Sequence, residues 1–304
     1  PREEKVRNIV SDMLVSSGFF ELMTNSLTKA SYYTSKDGQL EHDIVRILNP
    51  LSSDLAFMRT SMLEGLLENA AYNINRKSPD LKFFELGKIY HKKENYLERK
   101  QLALLITGRE KAENWLQPKS STDFYYLKGY VKLLLDRLGI EIEENALEDS
   151  RFSDALEMSS EGKTIVKMGK VSKKLAQHFD VDQDCFYAEI ELETAQKLRA
   201  KGNFKFKEIP KFNKLRRDLA LLVDKEISYS ALRSAARKNP SPYLKSVQLF
   251  DVYEGEKLPV GKKSYAMSFE LLNEEKTLGE KEISEVMNSL IHQFQKEFGA
   301  ELRG

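Results

Sequence analysis

The stretch Lys211 to Asp224, KFNKLRRDLALLVD, joins a basic run to a short apolar strand, and its reading decides how the chain divides. From Lys197 to Arg217 there are nine Lys or Arg and one acid, Glu208, although the whole chain has a formal net charge of only +1. A local positive stripe attracts a polyanion such as RNA. A solvated linker between two folded parts is the plainer alternative, and charge alone leaves both open.

The residues after the run give it a context. Asp218 to Asp224 predicts a strand, Tyr229 to Lys238 a helix, Tyr243 to Tyr253 and Lys262 to Leu272 two strands, Glu280 to Phe298 a helix, and Ala300 to Arg303 an edge strand. That order, βαββαβ, is the split ferredoxin-like arrangement. In its third strand Tyr265, Met267, Phe269 and Leu271 alternate with Ser264, Ala266, Ser268 and Glu270, so one face is apolar and the other small and polar. An RNA backbone fits the second face. The strand lacks the aromatic pattern of an RNA recognition motif, which predicts binding by charge and shape rather than by stacking on the sheet.

Upstream the pattern is α+β with an antiparallel sheet. Glu3 to Ser17 reads as a helix with Val6, Ile9, Val10, Met13 and Leu14 on one face, followed by a strand in FFELMTNSLT, a turn at Asp37-Gly38 and a strand from Ile44 to Leu48. Ser61 and Glu64 have capping-box spacing before a helix that runs to Asn75. Lys82 to Tyr90 and Gln101 to Thr107 predict an antiparallel pair, and Asp123 to Leu138 a helix closed by Gly139. Strands around Leu156 to Met158 and Thr164 to Met168 flank a turn at Glu161-Gly162, Ser172 caps a short helix through Phe179, and Phe186 to Leu192 is a further strand. Two domains follow, residues 1–202 and 203–304.

The 304 residues, 41% of them hydrophobic, suffice for two cores. No apolar run reaches the roughly 18 residues that span a bilayer, which predicts no membrane partner. With no secretory leader and a single cysteine, Cys185, in a strand-like segment, the expected location is cytoplasmic. The chain starts at Pro1, as expected of a segment cut from a longer polypeptide. Phosphate-loop, dinucleotide, zinc-protease and nucleophile-elbow signatures do not occur. His42, His91, His178 and His292 are scattered, so no metal site and no catalytic residue is expected, and the acidic pairs Glu143-Glu144 and Glu274-Glu275 read as solvated.

Four ordered segments, FNKLRRDLALLVD (212–224), LFDVYEG (249–255), GKKSYAMSFEL (261–271) and NEEKTL (273–278), resemble the ferredoxin-fold anticodon-binding domain that ends the β subunit of bacterial phenylalanyl-tRNA synthetases. Upstream, VRNIVSDMLVSSGFFELMTNSLT (6–28), NPLSSDLAFMRTSMLEGLLENAAYNINR (49–76), FFELGKIY (83–90) and LALLITG (102–108) resemble the class II synthetase-like domain of the same subunit.

The resemblance implies a non-catalytic part of an ATP-dependent ligase, whose active site, with ATP and Mg2+, lies in an α subunit of an α2β2 heterotetramer. No cofactor is implied for this chain. Its partners by resemblance are that α subunit and phenylalanine tRNA. The segment FFELGKIYHKKENYLERK lacks the F-R-x-E of class II motif 2, and no G-x-G-x-G-x-x-R occurs, so the cationic clamp on a triphosphate is missing. The first helix takes the place of motif 1, which implies that Val6, Ile9, Val10, Met13 and Leu14 meet the α subunit; periodicity equally allows that they face their own core. For RNA, Lys211, Lys214, Arg216 and Arg217 are the expected phosphate contacts, with Lys262 and Lys263 as further candidates, and Asp218 is a competing partner for a neighbouring arginine. A stand-alone RNA-binding or regulatory module and a self-sufficient ligase are the alternatives.

Overall fold

The computed structural model describes residues 2–33, 43–116, 118, 120–201 and 208–303. The chain divides into two compact units, residues 1–204 and 205–304. The boundary expected near Gly202, the Asp37-Gly38 turn and His42 lie outside the described residues.

The first unit runs α1 (Arg2–Ser16), β1 (Phe20–Glu21), β2 (Leu27–Thr28), β3 (Phe57–Met58), α2 (Leu63–Asn75), β4 (Leu81–Lys92), β5 (Tyr96–Thr107), α3 (Phe124–Leu138), β6 (Glu143–Ala146), β7 (Phe152–Ser160), β8 (Lys163–Val171), α4 (Lys173–His178), β9 (Cys185–Glu191) and α5 (Leu192–Lys201). Seven strands form one sheet in the order β1-β4-β5-β9-β8-β7-β6. Its pairs are antiparallel except β1 with β4.

Both faces of this sheet are covered, which is why β5 reads LALLIT without a polar break. Leu102, Leu104 and Ile106 pack with α1, α3 and α5 on one face. Ala103 and Leu105 pack with α2 and α4 on the other, together with Cys185 and Tyr187 of β9. Asp123 caps α3 by accepting the Tyr126 N–H at 2.7 Å, and Gly139 ends it at φ 70°. The β7–β8 turn needs positive φ twice, at Glu161 and Gly162.

Three expectations are corrected. The strand in FFELMTNSLT breaks into β1 and β2, because Thr24 donates to Glu85 at 2.6 Å and the Asn25 side chain takes the Leu27 N–H at 2.9 Å. The strand at Ile44 to Leu48 is reduced to a bridge between Arg46 and Phe57. The Ser61/Glu64 capping box does not form: Ser61 accepts from Leu63, the helix starts two residues later, and the Glu64 carboxyl turns inward. Three elements were unexpected, β3, α5 and β6. In β6, Glu144 is ion-paired with Lys128 at 2.6 Å rather than solvated.

The second unit runs β10 (Leu215–Asp224), α6 (Tyr229–Arg237), β11 (Leu244–Tyr253), β12 (Lys262–Leu271), α7 (Glu280–Phe298) and β13 (Glu301–Leu302), the expected βαββαβ order. Its sheet order is β11-β12-β10-β13, antiparallel throughout. Tyr265, Met267, Phe269 and Leu271 are buried with Leu232, Ala235 and Ala236 of α6 and the Ile283, Val286, Leu290 and Phe294 stripe of α7. Among the described residues, both helices of this unit lie on that face and none lies on the opposite one. Strand β10 begins at Leu215, three residues before the expected start, which draws Arg216 and Arg217 into the sheet.

Candidate functional sites

Strand register sorts the basic run of the second unit onto two sides. Arg216 pairs with Glu270, Asp218 with Ser268, Ala220 with Ala266 and Leu222 with Ser264, which places Arg216 on the open face. Arg217 pairs with the buried Phe269 and so points to the helix side, where it donates to Glu280 in the first turn of α7 at 3.1 Å. Lys263 likewise lies over the ring of the buried Tyr265, 4.9 Å from its centroid. Of the six residues expected to meet RNA, the open face therefore gathers Lys214, Arg216 and Lys262, separates Arg217 and Lys263 from them, and leaves Lys211 exposed ahead of the strand.

The gathered cations have internal partners. Arg216 donates to both oxygens of Asp218, at 2.8 and 3.2 Å, the competing pair foreseen from sequence. Lys214 reaches Glu270 at 3.3 Å, and Lys262 lies 3.4 Å from Asp224 and 3.6 Å from Glu301. The Ser246 hydroxyl and the Lys214 ammonium hold the Glu270 carboxyl below its usual range. Exposed pairs of this kind are worth at most about 1 kcal/mol and exchange readily for a phosphate.

Sequence reasoning missed the aromatic part of this face. A bulge between Leu249 and Asp251 leaves Phe250 without a register partner and 53% exposed, with the Arg216 guanidinium 5.1 Å from its ring centroid. Tyr253 pairs with Ser264 on the same face, and Arg303 lies 5.0 Å from its ring. Between these Arg-capped rings the floor is shallow, built from Ala220, Ser264, Ala266 and Ser268. The bulge hides this from a period-two reading, since Phe250 and Tyr253 are three apart. The signal was the LFDVYEG segment itself, with two aromatics near an acid.

In the first unit the corresponding charged groups lie under helix α2. Arg59 and Glu85 are 5% and 2% exposed and joined at 2.7 Å; Arg59 also donates to Thr24 at 2.7 Å and to the Lys88 carbonyl at 2.8 Å. Gly87 is required beside them, because a Cβ there would collide with the Arg59 guanidinium and the Met62 sulfur. Arg151 binds Asp149 at 2.7 Å and both oxygens of Glu189, at 2.9 and 3.1 Å. Burial opposes ionisation of Asp149, but the Arg151 hydrogen bonds hold its carboxyl below the ordinary range. Burial pushes the Glu64 carboxyl up, and its Oε2 and the Gln101 Oε1 are buried without hydrogen-bond partners. Strand β9 carries Glu189 and Glu191 and runs directly into α5, whose first turn carries Glu193.

The helix stripe assigned to a partner divides in the same way. Val6, Val10 and Leu14 are 3%, 1% and 1% exposed in the core of their own unit, Met13 packs against it, and Ile9 is half-buried. The own-core alternative describes those three buried residues. Apolar side chains of the same segment that do face outward are Val15, Phe20 and Met23, at 56%, 69% and 96% exposure. Among the described residues no three His, Cys, Asp or Glu side chains are grouped to hold a metal ion, and no helix is long and apolar enough to cross a membrane.

Residues 1–192 match the family described as the phenylalanyl tRNA synthetase beta chain CLM domain, and residues 210–303 match the ferredoxin-fold anticodon binding domain. The phenylalanine–tRNA ligase beta subunit of Bacteroides fragilis is 39% identical over 99% of the chain, and that of Clostridium acetobutylicum 29% over 99%. The chain spans 38% of the length of each. Among solved structures, the pyrrolysyl-tRNA synthetase PylSc of Desulfitobacterium hafniense superposes with a TM-score of 0.52 at 14% identity, covering 64% of this chain and 68% of that one, a likeness of fold.

Proposed function

The chain belongs to the phenylalanyl-tRNA synthetase β-chain family, and on that premise we propose that it is a non-catalytic part of phenylalanine–tRNA ligase. Its second unit holds the anticodon region of phenylalanine tRNA, and its first unit meets the catalytic α subunit of a cytoplasmic α2β2 enzyme. The observation that carries this reading is the uncovered sheet face, where Phe250 and Tyr253 each lie beside a guanidinium. Unpaired bases stack on such rings while Arg and Lys meet phosphates. Base stacking thus returns to a mechanism that sequence alone had limited to charge and shape. Both domain types in one chain count against a free-standing RNA module.

ATP and Mg2+ belong to the whole enzyme. The residues on the α2 side of the first unit's sheet do not fit a triphosphate: Arg59 and Arg151 are each bound to carboxylates, and Glu189 and Glu191 would repel the phosphates. The purified chain should show no phenylalanine-dependent exchange of pyrophosphate into ATP, and measurable exchange would refute the non-catalytic assignment.

Co-expression with an α subunit, mass measurement of the complex and titration with phenylalanine tRNA test the rest. The chain should associate, and Phe20→Asp with Met23→Asp should abolish association. Tyr253→Ala should weaken binding of the anticodon stem-loop by about 1–3 kcal/mol, the worth of one stacked base. Unchanged association and unchanged binding in these variants would remove the two assignments separately.

A further inference from the structure

Helix α6 differs in charge from the rest of its unit. From Ile227 to Phe250 the chain contains no acid and four cations, Arg233, Arg237, Lys238 and Lys245. Elsewhere in the unit, Lys214, Arg216, Arg217, Lys225 and Lys262 are ion-paired, and Lys245 itself reaches Glu274 at 3.6 Å. Arg233, Arg237 and Lys238 have no ion pair among the described residues.

The helix turns Leu232, Ala235 and Ala236 inward, which directs Ser230, Arg233, Ser234 and Arg237 to the outside as a stripe of donors. Arg233 and Arg237 are one turn apart, a spacing at which like charges destabilise a helix. Lys238 and Arg237 do complement the C-terminal end of the helix dipole, but Arg233 lies a full turn before it. The α7 groups that bond at the end of α6 go elsewhere: Ser289 and Gln293 accept from Asn239, Gln293 donates to the Ala235 carbonyl, and Glu297 accepts from Gln293. Helix α6 packs against β11, the edge strand that bears Phe250 and Tyr253.

We propose that the α6 stripe is a second contact for the same RNA, taking phosphates of its backbone as the RNA passes around the β11 edge from the open sheet face. This rests on the RNA-binding reading given above and adds to it. Arginines and serines at one-turn spacing suit phosphate oxygens, which carry position and no sequence.

The test uses the full chain with phenylalanine tRNA and its anticodon stem-loop, over a range of salt. The double substitution Arg233→Gln, Arg237→Gln should weaken binding on the order of tenfold at low salt and lower the slope of log affinity against log salt by up to about two, at roughly one per phosphate. The loss should be the same for a stem-loop of altered loop sequence. The pair Arg233→Lys, Arg237→Lys should retain most of the binding, and neither variant should melt below the wild type, since the Gln pair removes a like-charge repulsion. A Gln variant with wild-type affinity and slope overturns the proposal alone, as does a loss confined to one loop sequence, which would signal base readout. A wild-type chain that leaves both RNAs unbound overturns this proposal and the RNA-binding reading together.

Discussion

The two sheets place arginine beside carboxylate in opposite settings. In the first unit Arg59 and Glu85 are sealed between the sheet and α2, with every charged partner fixed by hydrogen bonds. In the second, Arg216 and Asp218 are about half exposed on a face that no described helix of that unit covers. A covered sheet turns its ions into structure, because removing one partner strands the other in a low dielectric. An uncovered sheet leaves them able to change partners, because water screens the pair and little is lost when it opens.

The largest expected effect tests that contrast directly. Arg59→Ala should destabilise the first unit by about 3–5 kcal/mol, the cost of leaving the buried Glu85 carboxylate unpaired. Arg216→Ala should change the stability of the second by less than about 1 kcal/mol while weakening RNA binding. Calorimetry on the full chain separates the two, since only the first substitution should shift a transition by many degrees. Comparable losses from both would show that exposure does not distinguish the two pairs.

How far each face was legible follows from what its residues answer to. The βαββαβ order could be read because Tyr265 to Leu271 and Ile283 to Phe294 have clean periods, set by a core on one side only. The β4–β5 pair was legible for a different reason, as two apolar runs on either side of a charged turn, and α3 from its one-faced stripe, with Asp123 and Gly139 marking the ends of the helix. The strand in FFELMTNSLT was misread because Thr24 and Asn25 bond locally and to Glu85, a side-chain choice that β propensity does not contain. At the candidate RNA face, the charges were legible and the partition was not. Moving the start of β10 three residues upstream puts Arg216 and Arg217 on opposite sides, and a one-residue bulge exposes Phe250. Helix α5 was missed because the basic run from Lys197 drew the reading toward a linker.

A smaller effect sharpens the contrast through pH. Glu64, in the first turn of α2, has its Oε2 unpartnered, and burial raises its carboxyl, helped by the charge of Glu189 and opposed by Arg151 and the Ser61 hydroxyl. A carboxyl raised in the folded state keeps its proton to higher pH than in the unfolded chain. Its stabilising contribution is therefore complete below about pH 4.5 and is lost as pH rises through the folded value. Glu64→Gln, which cannot ionise, should match wild type near pH 4 and become the more stable protein as pH rises through the folded value. Denaturant titrations of both proteins from pH 4 to 8 measure the difference. A constant difference, or one that favours wild type at pH 8, would mean that Arg151 compensates the ionised carboxylate. The α2 side of the first sheet would then hold a charge ready to exchange partners, as the open face of the second does.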